Sequence, residues 1–492
     1  MPFISKSKYL AGLQCDKLLW THYNAKDRIP SPDAGLQAIF DQGHEVGELA
    51  KSLYPGGIEV APGTFAIPEV LRASQEAAHR RKPLFEAGFA HGNAYARVDI
   101  LNPVGKDQWD LIEVKSSTQV KEINLHDVAF QRYTYEGAGF RIRKCFLVCI
   151  NNEYVRKGEI DPEELFVRHD ITEEVRAILP GVKERLGEMT KVIARRKEPD
   201  VSIGPQCDDP YVCPLHNLCW DFLPEQSVFT LYRGGAKSFA LLATGVQAIA
   251  DIPHGYKLSA AQGIQVEAVR SEEPHIDEEA LGKFLRGMKY PLSYLDFETI
   301  GTAIPLFDGV RPYQQVPFQF SLHIVKEEGA KPEHHGFLAS GREDPREEIL
   351  AELKALLGTK GSIVAYNAGF EKRALKESVA VYRKYQTWYE KIEPRFVDLL
   401  QPFRAFHYYH PDQQGSASIK SVLPALTGSG YEGMEIADGG TASQEFLRIT
   451  FGDVPARERQ TVRKRLEEYC KKDTMAMVEV VEAIEKICGK SQ

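Results

Sequence analysis

In the stretch WDLIEVK, Glu113 and Lys115 stand two residues apart, the spacing that sends side chains to one face of a strand. Taken alone, the pair reads as an ion pair on a solvated surface. Asp99, in AYARVDIL, precedes Glu113 by fourteen residues, and the intervening LNPVGKDQ carries turn chemistry that can fold the two segments into a hairpin. Asp99 and Glu113 then meet on neighbouring strands and can share a divalent cation through carboxylate oxygens. Lys115 lies beside them as a point charge that helps to activate water. His44, in DQGHEVGELA, offers an imidazole nitrogen to the same metal site. Gln131 and Tyr135, in AFQRYTYEGAG, are four apart on a helix and share one face.

A second acidic set lies toward the C-terminus. YLDFET places Asp296 and Glu298 on one face of a strand. The strand in GSIVAYNAGFEKRAL breaks at Asn367, after which Glu371 enters a helix, and EYCKKDTMAM sets Tyr469 and Asp473 at helical i,i+4 spacing. Four carboxylates, Asp296, Glu298, Glu371 and Asp473, have the charge to hold two metal ions, one activating water and one stabilising a leaving oxygen. Tyr469 would orient that water or the scissile phosphate. Asp398, in FVDLL, is expected to support the site or to serve as an alternative ligand.

The chain has eight cysteines. Cys145 and Cys149, in KCFLVCI, read as core thiols of a buried strand. Cys470 and Cys488 fall in the C-terminal helical region without ligand-like partners. Cys207, Cys213 and Cys219 are separated by five residues each in the turn-rich CDDPYVCPLHNLCWDF, a segment able to wrap a metal centre, with Cys15 as a distant fourth candidate.

The elements that must position these groups divide a 492-residue chain, too long for one ordinary core. Residues 1–225 open with helices and pass to strands between residues 84 and 150. Residues 226–285 read as a connector, and residues 286–492 alternate strands with helical pattern, an α/β arrangement. Hydrophobic content of 43% with 26% charged residues describes a folded globular chain rather than a disordered one. No apolar run reaches membrane-spanning length, and the start lacks a signal-peptide core, so a cytoplasmic location and no membrane partner are expected. The formal charge of −8 gives no whole-chain pull toward nucleic acid, but metal-holding carboxylates contribute to that charge themselves.

The order His44, Asp99, Glu113, Lys115, Gln131 and Tyr135 resembles the PD-(D/E)xK nucleases of the Cas4 and RecB type. That resemblance implies a restriction-endonuclease-like α/β core. It also implies a 4Fe–4S cluster on Cys15, Cys207, Cys213 and Cys219, although the downstream spacing departs from the usual pattern and four thiolates suit zinc as well. The C-terminal set resembles the DEDD exonucleases of DnaQ-like, RNase H-like fold in their tyrosine-containing form, with Glu371 where that family has Asp. Over nearly its full length the chain resembles bacterial proteins with a DUF2779 C-terminal domain. These likenesses imply a phosphodiester hydrolase using Mg2+ or Mn2+, acting on single-stranded DNA or DNA ends, with a 3′–5′ C-terminal activity and a second, Cas4-like centre. Two alternatives stay open: an RNA-processing exonuclease using only the C-terminal site, and a non-enzymatic nucleic-acid-binding scaffold.

Overall fold

The computed structural model describes residues 2–64 and 66–489. The architecture is multidomain α/β with mixed sheets. One unit comprises Met1–Asp221 with Thr302–Tyr313, and the other Phe222–Gly301 with Gln314–Gln492. Among the described residues, no helix is long and apolar enough to cross a membrane.

In the first unit, β1 (Ile4–Ser5) leads directly into α1 (Lys6–Gln14) and α2 (Asp16–Asn24). Helix α3 (Ala34–Ala50) starts at Asp33, whose carboxylate accepts the Leu36 N–H at 2.8 Å and so caps an otherwise unpaired donor. Then come β2 (Ile58–Glu59), α4 (Ile67–Ala78), β3 (Leu84–His91), β4 (Ala94–Val104), β5 (Gln108–Lys115), α5 (Glu122–Gly137), β6 (Arg141–Ile150) and β7 (Phe166–Asp170). The sheet runs β2–β3–β4–β5–β6–β7, with β1 paired to β4. Strands β3, β4 and β5 are antiparallel neighbours, as the LNPVGKDQ turn suggests, while β6 joins β5 in parallel. Along β5, Trp109 and Leu111 enter the core that includes Tyr9 and Phe130, whereas Ile112 and Val114 enter the core holding Val46 and Ala50. That alternation puts Glu113 and Lys115 on the face covered by α5. The segment 302–313 packs in this unit: Arg156 Nη1 donates to the carbonyls of Pro305 at 2.9 Å and Leu306 at 2.7 Å.

In the second unit, β8 (Leu292–Ile300), β9 (Val316–Val325) and β10 (Glu333–Leu338) are antiparallel neighbours. On the other side of β8, β11 (Ser362–Ala365) and β12 (Phe396–Asp398) run parallel to it. The order is β10–β9–β8–β11–β12. Leu295 and Phe297 of β8 pack with Ile349, Leu350 and Leu353 of α6 (Arg346–Leu356) and Ala374 and Leu375 of α7 (Gly369–Val381). Leu292 and Tyr294 face the other way, into a core with Met477, Val478 and Val481. By period two, Asp296 and Glu298 continue that second face. Helices α8 (Ile419–Thr427), α9 (Gly439–Phe451) and the 34-residue α10 (Ala456–Gly489) complete the unit. A polar column on β9 fixes α10 on the sheet. Gln319 Nε2 donates to Leu466 O at 2.9 Å, and Thr474 Oγ1 lies 2.7 Å from Ser321 Oγ and 2.8 Å from His323 Nδ1.

Tyr135 is fully buried, with its hydroxyl donating to Ala87 O and accepting the Val98 N–H at 3.2 Å, so it ties β3 to β4. Tyr135→Phe strands a buried carbonyl and should destabilise the chain by about 1–3 kcal/mol. Urea unfolding monitored by circular dichroism measures this, and an unchanged midpoint would show that the hydroxyl carries no structural weight.

Candidate metal centre and a buried ion-pair cluster

Asp296 and Glu298 come from β8, Glu371 from the first turn of α7, and Tyr469, Cys470 and Asp473 from one face of α10. Asn367, just before α7, adopts φ +74°, a left-handed turn that asparagine tolerates, and its N–H donates to Asp398 Oδ1 at 2.9 Å. Asp398 also accepts Leu400 N–H at 3.1 Å, so it braces the turn that starts α7. Asp296, Glu298, Glu371, Tyr469 and Asp473 line one cleft of about 470 Å³, together with Gly439 and Gly440 at the start of α9.

Among the described residues, one group of three brings metal-ligating atoms within 4.8 Å of one another: Asp296, Glu298 and Cys470. Cys470 Sγ lies 3.9 Å from Asp296 Oδ2. Cys470, expected to lack ligand-like partners, therefore belongs to this site. It stands three residues before Asp473, a helical same-face spacing that the sequence already contained.

The electrostatics are those of uncompensated acids. Burial, then the charges of Asp473 and Glu298, push Asp296 well above the usual carboxylate range. Burial and Asp473 push Glu298 up to about 8. Glu371 is raised well above its ordinary value by burial and by Asp296. Burial also raises Asp473, against the moderating Tyr431 and Tyr469 hydroxyls. Glu371 Oε2 and Asp473 Oδ1 are buried without a hydrogen-bond partner. A divalent cation supplies what such oxygens lack, so the donor set fits one. Lys420 of α8 lies at the margin, its ammonium 5.5 Å from the Tyr469 ring centroid and 5.8 Å from that of Tyr431. Neither Lys420 nor Tyr431 carries a spacing signal that links it to the acids.

The N-terminal cluster is compensated from within. Glu113 Oε1 accepts Lys115 Nζ at 2.5 Å and Lys6 Nζ at 2.7 Å, and Oε2 accepts Gln131 Nε2 at 2.8 Å. Gln131 Nε2 also donates to Asp127 Oδ1 at 2.8 Å, and Lys115 Nζ to Asp127 Oδ2 at 2.9 Å. Asp99 Oδ2 accepts the Val114 N–H at 2.7 Å. Burial and Glu113 raise Asp99 to about 7, whereas the two ammonium groups outweigh burial at Glu113 and hold it far below its ordinary value. The structure thus brings together Asp99, Glu113, Lys115 and Gln131, and adds Lys6 and Asp127. Asp127 precedes Gln131 by four residues and was legible on its helix face, whereas Lys6 has no such signal. His44 lies apart with its side chain 80% exposed, its Nε2 3.9 Å from Glu48. Tyr135 belongs to the core behind the cluster.

The cofactor expectations are corrected. Cys15, Cys207, Cys213 and Cys219 line one small cavity, but their sulfurs do not form a close ligand group. Instead Cys15, Cys213 and Cys219 pack as small apolar side chains with Ala11, Leu18 and Leu215. Burial raises Cys15 and pushes Cys213 up to about 11, favouring the thiol over the thiolate that a 4Fe–4S centre requires. All eight cysteines are free. The pair of Mg2+ or Mn2+ ions on four carboxylates gives way to a single close group in which a thiol joins two acids.

Residues 293–418 match a family described as "Domain of unknown function (DUF2779)", so a domain of that family is present over part of the chain. The chain is 26% identical over 221 residues to "Uncharacterized protein MG366" of Mycoplasma genitalium, covering 40% of this chain and 32% of that protein. It is 25% identical over 206 residues to "Uncharacterized protein MG366 homolog" of Mycoplasma pneumoniae, covering 38% and 31%. It therefore spans about a third of the length of these curated relatives.

Glu298 gives a pH prediction. Between the ordinary carboxylate value and about 8, the folded chain holds a proton at Glu298 that the unfolded chain releases. Stability from this group is full at low pH and is lost as pH rises through that window. The metal-free Glu298→Gln variant should gain on the parent as pH rises from 5 to 8.5, read as a widening gap in thermal midpoint. A gap that is constant or narrows contradicts the assignment.

Proposed function

We propose that this chain is a metal-dependent nuclease that removes nucleotides from 3′ ends through the cleft of its second unit. The observation that carries this reading is the convergence of Asp296, Glu298, Glu371 and Asp473, from one strand and two helices, with two buried oxygens unpartnered. The likeness of YLDFET, NAGFE and YCKKD to the DEDD motifs supports it. So does the strand order, three antiparallel strands followed by two parallel ones, which accords with an RNase H-like core. The mixed sheet of the first unit likewise accords with a PD-(D/E)xK core.

Asp296, Glu298 and Cys470, the close group, would hold a divalent cation, with Asp473 and Glu371 lining the same cleft. Such a cation, when bound, supplies Lewis-acid polarisation of a phosphodiester and acidifies a water. The chain's own residues shape the rest. Tyr469, one turn before Asp473, presents a phenol that orients the attacking water or the phosphate. Gly439 keeps the cleft open to a backbone, since a Cβ there would lie 3.3 Å from Glu298 Oε2. The cleft volume suits one terminal nucleotide rather than a duplex. Single-stranded DNA is the first substrate, following the family likeness, and RNA is the alternative.

End-labelled DNA and RNA oligonucleotides of matched sequence test this with a divalent cation present. The parent should shorten one of them from its 3′ end. Asp296→Asn should lower the rate by about 10²-fold or more, the scale of several kcal/mol of lost charge stabilisation. Tyr469→Phe should lower kcat with little change in KM. Degradation from 5′ ends only, or 3′ shortening that survives Asp296→Asn, rejects the proposal.

A further inference from the structure

The motif likeness would make Asp99, Glu113 and His44 ligands of a metal in the first unit, but their surroundings do not fit one. Glu113, with its side chain 1% exposed, has both oxygens engaged by Lys6, Lys115 and Gln131. Asp127, 2% exposed, is engaged by Lys115 and Gln131 and lies 4.0 Å from Lys6 Nζ. Asp99 spends an oxygen on a backbone N–H, and His44 points to solvent.

Lys6 is no loose surface side chain. It opens α1 directly after β1, where Ile4 is fully buried and donates its N–H to Asn93 O at 2.7 Å. One turn further, the buried Tyr9 ring stacks on Phe130 of α5 with centroids 4.7 Å apart. Anchors on both sides therefore aim the ammonium at Glu113. With Lys6 and Lys115 set against Glu113, Asp127 and Asp99, two ammonium groups face three acids, and Glu113 and Asp127 each meet a lysine. Without Lys6, one ammonium would face three acids, two of them deeply buried.

We infer that Lys6 is the built-in counter-ion of this cluster, standing where a divalent cation would otherwise bind, so that the N-terminal centre of the native chain takes no such cation. The lock is covalently attached and shape-specific. Its removal should turn the cluster into a cation site, a gain rather than a loss.

The test is Mn2+ binding followed by electron paramagnetic resonance, in full-length chain carrying Asp296→Asn so that the second unit's acids are weakened as a site. Adding Lys6→Ala should create a Mn2+ site at least tenfold tighter than anything in that background, and Glu113→Gln should abolish it. Lys6→Met, which keeps much of the stem's length without the charge, should gain the site as well and serves where Lys6→Ala fails to fold. Lys6→Arg, which keeps the charge, should not. The inference is overturned if the Lys6-bearing background already binds Mn2+ in a Glu113-dependent manner. It is equally overturned if neither folded Lys6→Ala nor folded Lys6→Met gains such a site. The readout is binding, so it is independent of whether the second unit cuts nucleic acid.

Discussion

A carboxylate taken out of water has to be matched by a cation or a proton, and each unit of this chain meets that requirement in its own way. In the first, Glu113 and Asp127 are deeply buried and are answered by two lysines and a glutamine. In the second, Asp296, Glu298, Glu371 and Asp473 gather with Lys420 only at the margin, and burial raises all four. Two of the second unit's four acids, Glu371 and Asp473, carry an orphaned oxygen, and neither Glu113 nor Asp127 does in the first.

The scaffold follows from keeping those acids in place. Strand alternation delivers each pair to a helix-covered face: Glu113 and Lys115 toward α5, Asp296 and Glu298 toward α10. Each covering helix is then fixed by contacts outside the site. For α10 these are the hydrogen bonds from Gln319, His323 and Ser321, the neighbours of the acid-bearing strand. For α5 they are Tyr135 across β3 and β4 and Phe130 under Tyr9. The sites are rigid because their outer supports are secondary-structure ladders and packed rings rather than loops.

Much of this was legible in the sequence wherever chemistry coincided with periodicity. Asp99 and Glu113 could be joined because a turn separates them, and Tyr469 and Asp473 because helical spacing sets them on one face. The same rule would have found Asp127 and Cys470, each within four residues of a recognised site residue on its helix, but Asp127 was passed over and Cys470 was expected to lack partners. Lys6 was not legible, since it reaches Glu113 across 107 positions and no local pattern encodes that meeting. His44 shows the converse: its place in motif order carried it, but its helix turns the imidazole to solvent. The four cysteines mark another limit. Topology brings Cys15 beside Cys207, Cys213 and Cys219, yet shared lining of a cavity is weaker than ligand geometry, and their apolar packing is what the fold uses.

The contrast between the two clusters decides where an added cation goes. Crystals of the parent chain soaked in Mn2+, with data collected at a wavelength where manganese scatters anomalously, locate it directly. An anomalous peak is expected in the cleft beside Asp296, Glu298 and Cys470, and none beside Glu113 and Asp127. A peak at Glu113, or a cleft left empty at a Mn2+ concentration that saturates ordinary carboxylate sites, would contradict it.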